Sequence, residues 1–309
     1  MRQLLRASAW ALVAAGVAAP LLRRRIKLPP GAVMASSALA APALAVAASP
    51  GRRRDVGVCL LNMWAYLAAY ELPHDNPRRQ AERVRLDYPI AIDRMLGLGL
   101  TPTQRLQRGL STPGKINHFE RVLVCCHWAW FAVPHGSVFY VLLRRPDDFP
   151  RAAAWMYAVF DIGAVFYWAI PTAPPWYAAL HGRLDTQRTP AVRRMMIEYG
   201  EEFWGERWPA LYDVLGGNPL AAMPSLHFGT SLMGAHLLSE VGPVAGASGW
   251  TYAALLALAL VYLGEHYAID LIAGAALAES VRAGAPRATP LVRGALRGLE
   301  SLQRFAAGA

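Results

Sequence analysis

At 309 residues the chain has room for about two soluble domains or for one bundle of roughly six to eight membrane helices. Its composition, 55% hydrophobic and 17% charged with a mean hydropathy of +0.24, falls short of the charged fraction of about 25% usual in soluble domains, and the apolar residues come in blocks of membrane-spanning length. An ordinary soluble domain is excluded. So is a nucleic-acid-binding face, despite the net charge of +10, because the arginines sit in short clusters between apolar blocks, as in Arg52–Arg53–Arg54 and Arg144–Arg145, the pattern of cytoplasmic membrane loops.

Taken in chain order, residues 7–22 are apolar behind Arg2 and Arg6. They read either as a signal sequence, with small residues for cleavage near Ala19, or as a retained helix. Residues 31–48 are alanine-rich and weakly hydrophobic. Six spans are expected after them, at 56–70, 119–143, 152–170, 225–241, 250–263 and 267–281; the first and fifth are short for a span of about 20 residues. The segment 86–110 reads as interfacial helices. The expected fold is therefore all-α, a polytopic membrane bundle with a six-helix core and one or two N-terminal hydrophobic segments. Its expected organisation is an N-terminal hydrophobic region at 1–50, a membrane domain at 51–283 and a basic cytoplasmic tail at 284–309. Cys59, Cys125 and Cys126 lie in apolar blocks without CxxC spacing, so neither a disulfide nor structural zinc is assigned.

With Arg52–Arg54 on the inside, the positive-inside rule puts 144–151, 242–249 and the tail with Arg282, Arg287, Arg293 and Arg297 in the cytoplasm. Segments 172–224 and 264–266 then face outward, with Arg23–Lys27 running against the rule. The expected location is a bacterial cytoplasmic membrane, the site near its extracytoplasmic face.

Two short strings carry chemistry: Ala222-Met223-Pro224-Ser225-Leu226-His227, opening one span, and Gly264-Glu265-His266-Tyr267-Ala268-Ile269-Asp270, joining two others. Histidines and carboxylates at membrane depth are costly unless paired or lining a wet cavity. His266 and Asp270 are four apart and share a helix face, so the carboxylate can hold one imidazole nitrogen while the other meets a substrate. Phosphoester cleavage through a covalent intermediate needs a nucleophile, an orienting group and an acid for the leaving oxygen; His266, Asp270 and His227 supply that set. Pro224 and Ser225 at a helix start add a hydroxyl and free backbone N–H groups.

These residues resemble the type 2 phosphatidic acid phosphatase superfamily, in which a Pro-Ser-x-His string and a later His-x-x-x-Asp string form the active site on a helical core. The surrounding residues are similar to the inositol phosphorylceramide synthase (aureobasidin-target) branch. They are Pro171-Thr172-Ala173-Pro174-Pro175-Trp176, Asn218-Pro219, His266-Tyr267 with Asp270-Leu271 and Gly274, and upstream Asp93, Gly97, Pro102-Thr103 and Leu106-Gln107. The resemblance covers about residues 85–282. It implies a phosphohistidine on His266, Asp270 as its orienting base, His227 as leaving-group acid, and no metal or other cofactor. The implied substrate is a membrane phospholipid or polyprenyl phosphate, with transfer to an alcohol or polyol acceptor or, alternatively, to water.

The chain departs from the phosphatase pattern twice. Ala259 and Leu260 stand where that pattern has Ser-Arg, and Arg145-Pro146 imitates the end of a first motif whose Lys position holds Val138. Phosphate charge then falls to other cations, with Arg183, Arg188, Arg193 and Arg194 as candidates. A non-catalytic lipid binder or transporter, and a metalloenzyme using His227, His266 and Asp270 as ligands, are the rival readings. Blander readings apply residue by residue. Ser225 is a phosphate contact or a helix cap; Pro174 and Trp176 line the site or form a stiff turn with an interfacial ring. His127 and His135 are expected in packing or pore-lining roles beside a kink at Pro134. Asp161, mid-span, is a functional candidate or one partner in an interhelical hydrogen bond.

Overall fold

A computed structural model describes residues 1–112, 114–184, 192–215 and 218–307, with the side chains of 74 and 213–215 outside the described set; Arg188 also lies outside it. Contacts divide the chain into two units, Met1–Asp75 with Ala283–Ala309, and Asn76–Arg282.

The first unit contains α1 (Arg2–Leu22), α2 (Pro30–Ala47) and α3 (Arg52–Glu71). α1 and α2 meet through small residues: a Cβ on Gly16 would stand 2.5 Å from the Ser36 carbonyl. Such close approach is how helices associate where lipid removes the hydrophobic drive. Arg23 binds Glu71 at 3.2 Å and Asp75 at 2.8 Å. These ion pairs hold Asp75 below its usual range against the opposing effect of burial. In the same unit Leu299 and Ala306 pack on Ala9, Ala43, Val46 and Ala47, so the expected basic tail is helical.

The second unit opens with short helices, α4 (Pro77–Arg83), α5 (Asp87–Leu96) and α6 (Pro102–Leu110). The last begins with a capping box, Thr101 and Gln104 each accepting a backbone N–H of the other's position. Next come α7 (His118–Ala129), boxed in the same way by Asn117 and Glu120, and α8 (Val133–Arg144). The span expected at 119–143 is thus two helices, bent by 57°. Pro134, in the first turn of α8, lacks the N–H that would continue the ladder.

α9 (Phe149–Ala169) is followed by three short helices, α10 (Pro175–Leu180), α11 (Met195–Trp204) and α12 (Trp208–Leu215). α13 (Leu226–Val241) and α14 (Pro243–Tyr262) are separated by Gly242 alone. The loop expected at 242–249 is therefore mostly helix, because Pro243 at the first turn starts a helix well. α15 (Ala268–Ala307) belongs to this unit up to Arg282 and to the first unit beyond.

Among the described residues four helical stretches are long and apolar enough to cross a membrane, Arg2–Leu22, Pro30–Ala47, Pro146–Ala169 and Pro243–Tyr262, and the bent α7–α8 pair is a fifth if it counts as one span. The chain is an all-helical, multi-pass membrane protein. Among the described residues β pairing is confined to isolated bridges from Thr172 to Arg85 and to Ala221.

Candidate active site

Two helix starts make the site. At the first, Ser225 caps α13, its Oγ accepting the Phe228 N–H at 3.2 Å. Its own N–H donates to the Asp270 carbonyl at 2.9 Å, which ties α13 to α15. The helices can touch there because two glycines oppose them. A Cβ on Gly274 would lie 2.3 Å from the Ser225 carbonyl oxygen, and one on Gly229 would lie 2.8 Å from that of Gly274.

The second start is the α14–α15 junction. Gly264 turns the chain at φ +76°, a conformation that glycine adopts without strain. The N–H groups of Glu265 and His266 both return to the Leu260 carbonyl, at 3.0 and 3.1 Å. α15 is then capped from two sides. Asp270 Oδ2 accepts the Tyr267 N–H at 2.9 Å, and buried Asp93 of α5 accepts those of Ala268 at 2.9 Å and Ile269 at 3.0 Å. Burial pushes the Asp93 carboxyl up to about 6 although both amides pull it down. α6 meets the free carbonyls at the end of α14: Thr103 Oγ1 donates to Val261 at 2.9 Å and Gln107 Nε2 to Tyr262 at 2.8 Å. The upstream residues Asp93, Thr103 and Gln107 therefore aim the junction.

This framework brings all three residues expected to be catalytic together. Asp270 Oδ2 lies 3.4 Å from His266 Nδ1, and His266 Nε2 lies 3.1 Å from His227 Nδ1. With Nδ1 of His266 as the donor to the carboxylate, its Nε2 is a lone pair, and the His227 nitrogen facing it must carry the proton. His266 is 3% exposed and Asp270 fully buried.

The other expected residues separate into two groups. Pro224 is fixed by Tyr167, whose hydroxyl donates to its carbonyl at 2.9 Å. Pro174 starts α10, and the N–H of Trp176 donates to the Gly264 carbonyl at 3.1 Å. Arg194 lies flat on Trp176, 3.8 Å from the ring centroid, and donates to the Tyr212 hydroxyl at 2.8 Å, while its buried Nε has no hydrogen-bond partner among the described residues. Arg193 faces elsewhere, bound to Glu198, to the carbonyls of Thr112 and Lys115 and, at 3.7 Å, to Glu120. Arg183 is an exposed partner of Asp87. Arg145 stands at the far end of α8, about 18 Å along the helix from the α7–α8 bend, and Val138, Ala259 and Leu260 are core residues.

Three side chains to which the sequence reading gave no part in the chemistry lie near the site. Glu265, half-buried beside His266, is pushed up to about 7 by burial, with Arg194 and His266 pulling it down. His127 and Trp130 of the α7–α8 bend lie against the His227 ring, at centroid distances of 4.8 and 4.1 Å. The available signal was His127 as a polar residue at membrane depth; its partner is invisible until helices are docked. His135, by contrast, stacks on Phe160 at 5.6 Å, as packing predicts. Among the described residues no group of three His, Cys, Asp or Glu is arranged to hold a metal ion.

A model of the PAP2 superfamily matches residues 90–281. The chain belongs to the PAP2 superfamily. Its curated relatives include three sphingolipid-related members. The inositol phosphorylceramide synthase of Candida albicans is 29% identical over 171 residues, 52% of this chain and 35% of that protein. The inositol phosphorylceramide synthase catalytic subunit of Schizosaccharomyces pombe is 27% identical over 164 residues, 49% and 37% of the two chains. The phosphoinositol dihydroceramide synthase of Bacteroides thetaiotaomicron is 28% identical over 154 residues, 47% and 48%. The chain thus spans between a third and a half of the length of these PAP2 relatives. No solved structure matches it. Every residue of the His227–His266–Asp270 line falls within the PAP2 match.

Proposed function

We propose that this PAP2 protein is a membrane lipid phosphotransferase that cleaves a phospholipid or polyprenyl-phosphate ester through a phosphohistidine and passes the phosphoryl group to an alcohol. The observation that carries the reading is the line Asp270–His266–His227, with an imidazole lone pair facing a second histidine. In the first step Nε2 of His266 bonds to phosphorus, the bond to the leaving oxygen breaks, and its electron pair goes to that oxygen. His227, as imidazolium, gives the oxygen a proton. In the second step the acceptor hydroxyl returns a proton to His227, its oxygen bonds to phosphorus, and the P–N electron pair goes back to His266.

Asp270 keeps the tautomer correct and balances the charge that His266 gains when it attacks. Arg194 is the cation for the phosphate in place of the missing Ser-Arg pair: of the three described candidate arginines it is the one whose side chain lies on Trp176 and pulls on the Glu265 carboxyl beside His266. Ser225 and Pro224 add the start of α13 to the anion site, and Pro174 and Trp176 form its wall. The relatives' names favour an alcohol acceptor over water, and arginine placement favours an extracytoplasmic site. The reading is tested with purified wild type and His266→Ala on phosphatidylinositol, phosphatidic acid and undecaprenyl phosphate, with and without inositol or dihydroceramide. Acceptor-dependent product from wild type alone is expected. Acceptor-independent phosphate release would make it a phosphatase, and equal turnover in both proteins would leave a lipid binder.

A further inference from the structure

His127 is buried, and one of its ring nitrogens has no partner among the described residues. It is 7% exposed, in the last turn of α7, and its Nδ1 is buried without a hydrogen-bond partner among the described residues. Polar atoms in such positions are rare and normally meet a partner, so one beside a reactive group marks a place where a ligand atom belongs.

The surroundings say which ligand atom. The His127 ring lies 4.8 Å from that of His227, tilted by 34°, and Trp130, one turn on, covers His227 at 4.1 Å. Trp130 is itself fixed to α13, its Nε1 donating to Thr230 Oγ1 at 2.9 Å. The end of α7 is therefore clamped to α13 around the His227 imidazole, and its ring cannot swing away. His227 handles the proton of the oxygen that leaves or enters opposite His266, so an uncharged oxygen bearing one hydrogen must pass next to it. A hydroxyl beside His227 needs a second polar contact once its proton is shared, and the ring packed on His227 carries an atom, Nδ1 of His127, that has no partner among the described residues.

Resting on the phosphohistidine reading, we propose that His127 is a third histidine of the site, whose Nδ1 holds the hydroxyl of the leaving or accepting alcohol beside His227. It neither attacks phosphorus nor accepts a proton overall; it selects an alcohol over water at the second step. The aromatic cover from Trp130 and the buried setting of His127 suit an alcohol on an apolar body better than a free water molecule.

The test uses the full chain in phosphatidylcholine vesicles with 4-nitrophenyl phosphate as donor, whose leaving phenolate needs no acid, and with glycerol or dodecanol as acceptor. Nitrophenolate release reports formation of the intermediate, and the ratio of phosphorylated alcohol to inorganic phosphate reports its fate. His127→Leu is expected to lower the alcohol-to-water ratio at least roughly tenfold. His127→Asn, whose amide can occupy the place of Nδ1, should restore most of the ratio, and His127→Gln should not. Because both products come from one intermediate, loss of folded protein leaves the ratio unmoved. An unchanged ratio in His127→Leu, equal ratios in the Asn and Gln variants, or no alcohol product from wild type would overturn the proposal. Release by His266→Ala at the wild-type rate would instead remove the phosphohistidine reading beneath it.

Discussion

Gly274 of α15 runs so close to Ser225 of the α13 start that a Cβ at 274 would stand 2.3 Å from the Ser225 carbonyl oxygen. The neighbour is backbone and cannot rotate away, so a methyl group there must push the helices apart. Gly274→Ala is expected to cost about 1–3 kcal/mol. By parting Nδ1 of His227 from Nε2 of His266 it should also lower turnover by at least roughly tenfold. Gly284→Ala, on the same helix with nothing within 4 Å, should be neutral or gain up to about 1 kcal/mol of helix propensity. Thermal denaturation and turnover of the pair check this; indistinguishable variants would mean that the crossing is not tight.

Asp270→Asn keeps an acceptor for the Tyr267 N–H but loses the charge behind His266. It also permits the wrong tautomer. The drop expected in kcat is about 10²- to 10⁴-fold, with KM nearly unchanged because the carboxylate makes no contact with the lipid in this reading. Steady-state kinetics on a short-chain substrate would show it, and a change confined to KM would contradict the role.

The three arginines should part company. Arg194→Gln is expected to raise KM for the phosphate substrate at least roughly tenfold, since charge-assisted contacts are worth about 1.5–3 kcal/mol. Arg183→Gln, losing only an exposed pair with Asp87, should change stability by about 0–1 kcal/mol and leave kinetics alone. Arg193→Gln should act on stability, because it uncovers the fully buried carboxylate of Glu120. Similar KM values in the Arg183 and Arg194 variants would remove Arg194 from the site.

The carboxyl of Glu265, raised to about 7 chiefly by burial, gives a pH dependence with a defined sign. Below pH 7 it is neutral and leaves the Arg194 charge to the phosphate; above pH 7 it is anionic and competes. KM for the phosphate donor should therefore rise as pH climbs through about 7, and Glu265→Gln should flatten that rise. The same shift bears on stability. A carboxyl raised in the fold favours the folded state below its unfolded value, and that contribution is lost as pH rises through about 7. Kinetics and denaturation of both proteins between pH 5 and 8 would read both effects.

Asp93 should prove structural. Asp93→Ala removes two amide acceptors at the start of α15, each bond to a charged group worth about 1.5–3 kcal/mol. The expected result is a strong loss of thermal stability, with turnover falling in step with the folded fraction. A fully folded variant with altered kcat would assign it a chemical part instead.

Much of the site could be read from residue order. The Ser225 cap, the break signalled by Pro134 and the i,i+4 pair His266–Asp270 act over a single turn, so local spacing specifies them, whereas the loop expected at 242–249 is helix from Pro243 onward. The break at Trp130–Ala132 was half visible, through Pro134 alone. An apolar run looks the same whether it forms one span or two, since composition carries no direction.

The sequence by itself determined the membrane class, the helical fold and the three residues that come together in the candidate site, because burial in lipid demands long apolar helices and phosphoester chemistry demands a small set of side chains. Tertiary structure alone decided which partners particular residues meet: that Arg194 lies on Trp176 while Arg193 binds Glu198, that Asp93 caps a helix 175 residues away, and that His127 lies on His227. Each is a contact between elements that are separate along the chain, as is the close approach of α13 to α15 at Gly229 and Gly274. Steric fit between surfaces depends on three-dimensional shape, and no local spacing in the chain encodes it.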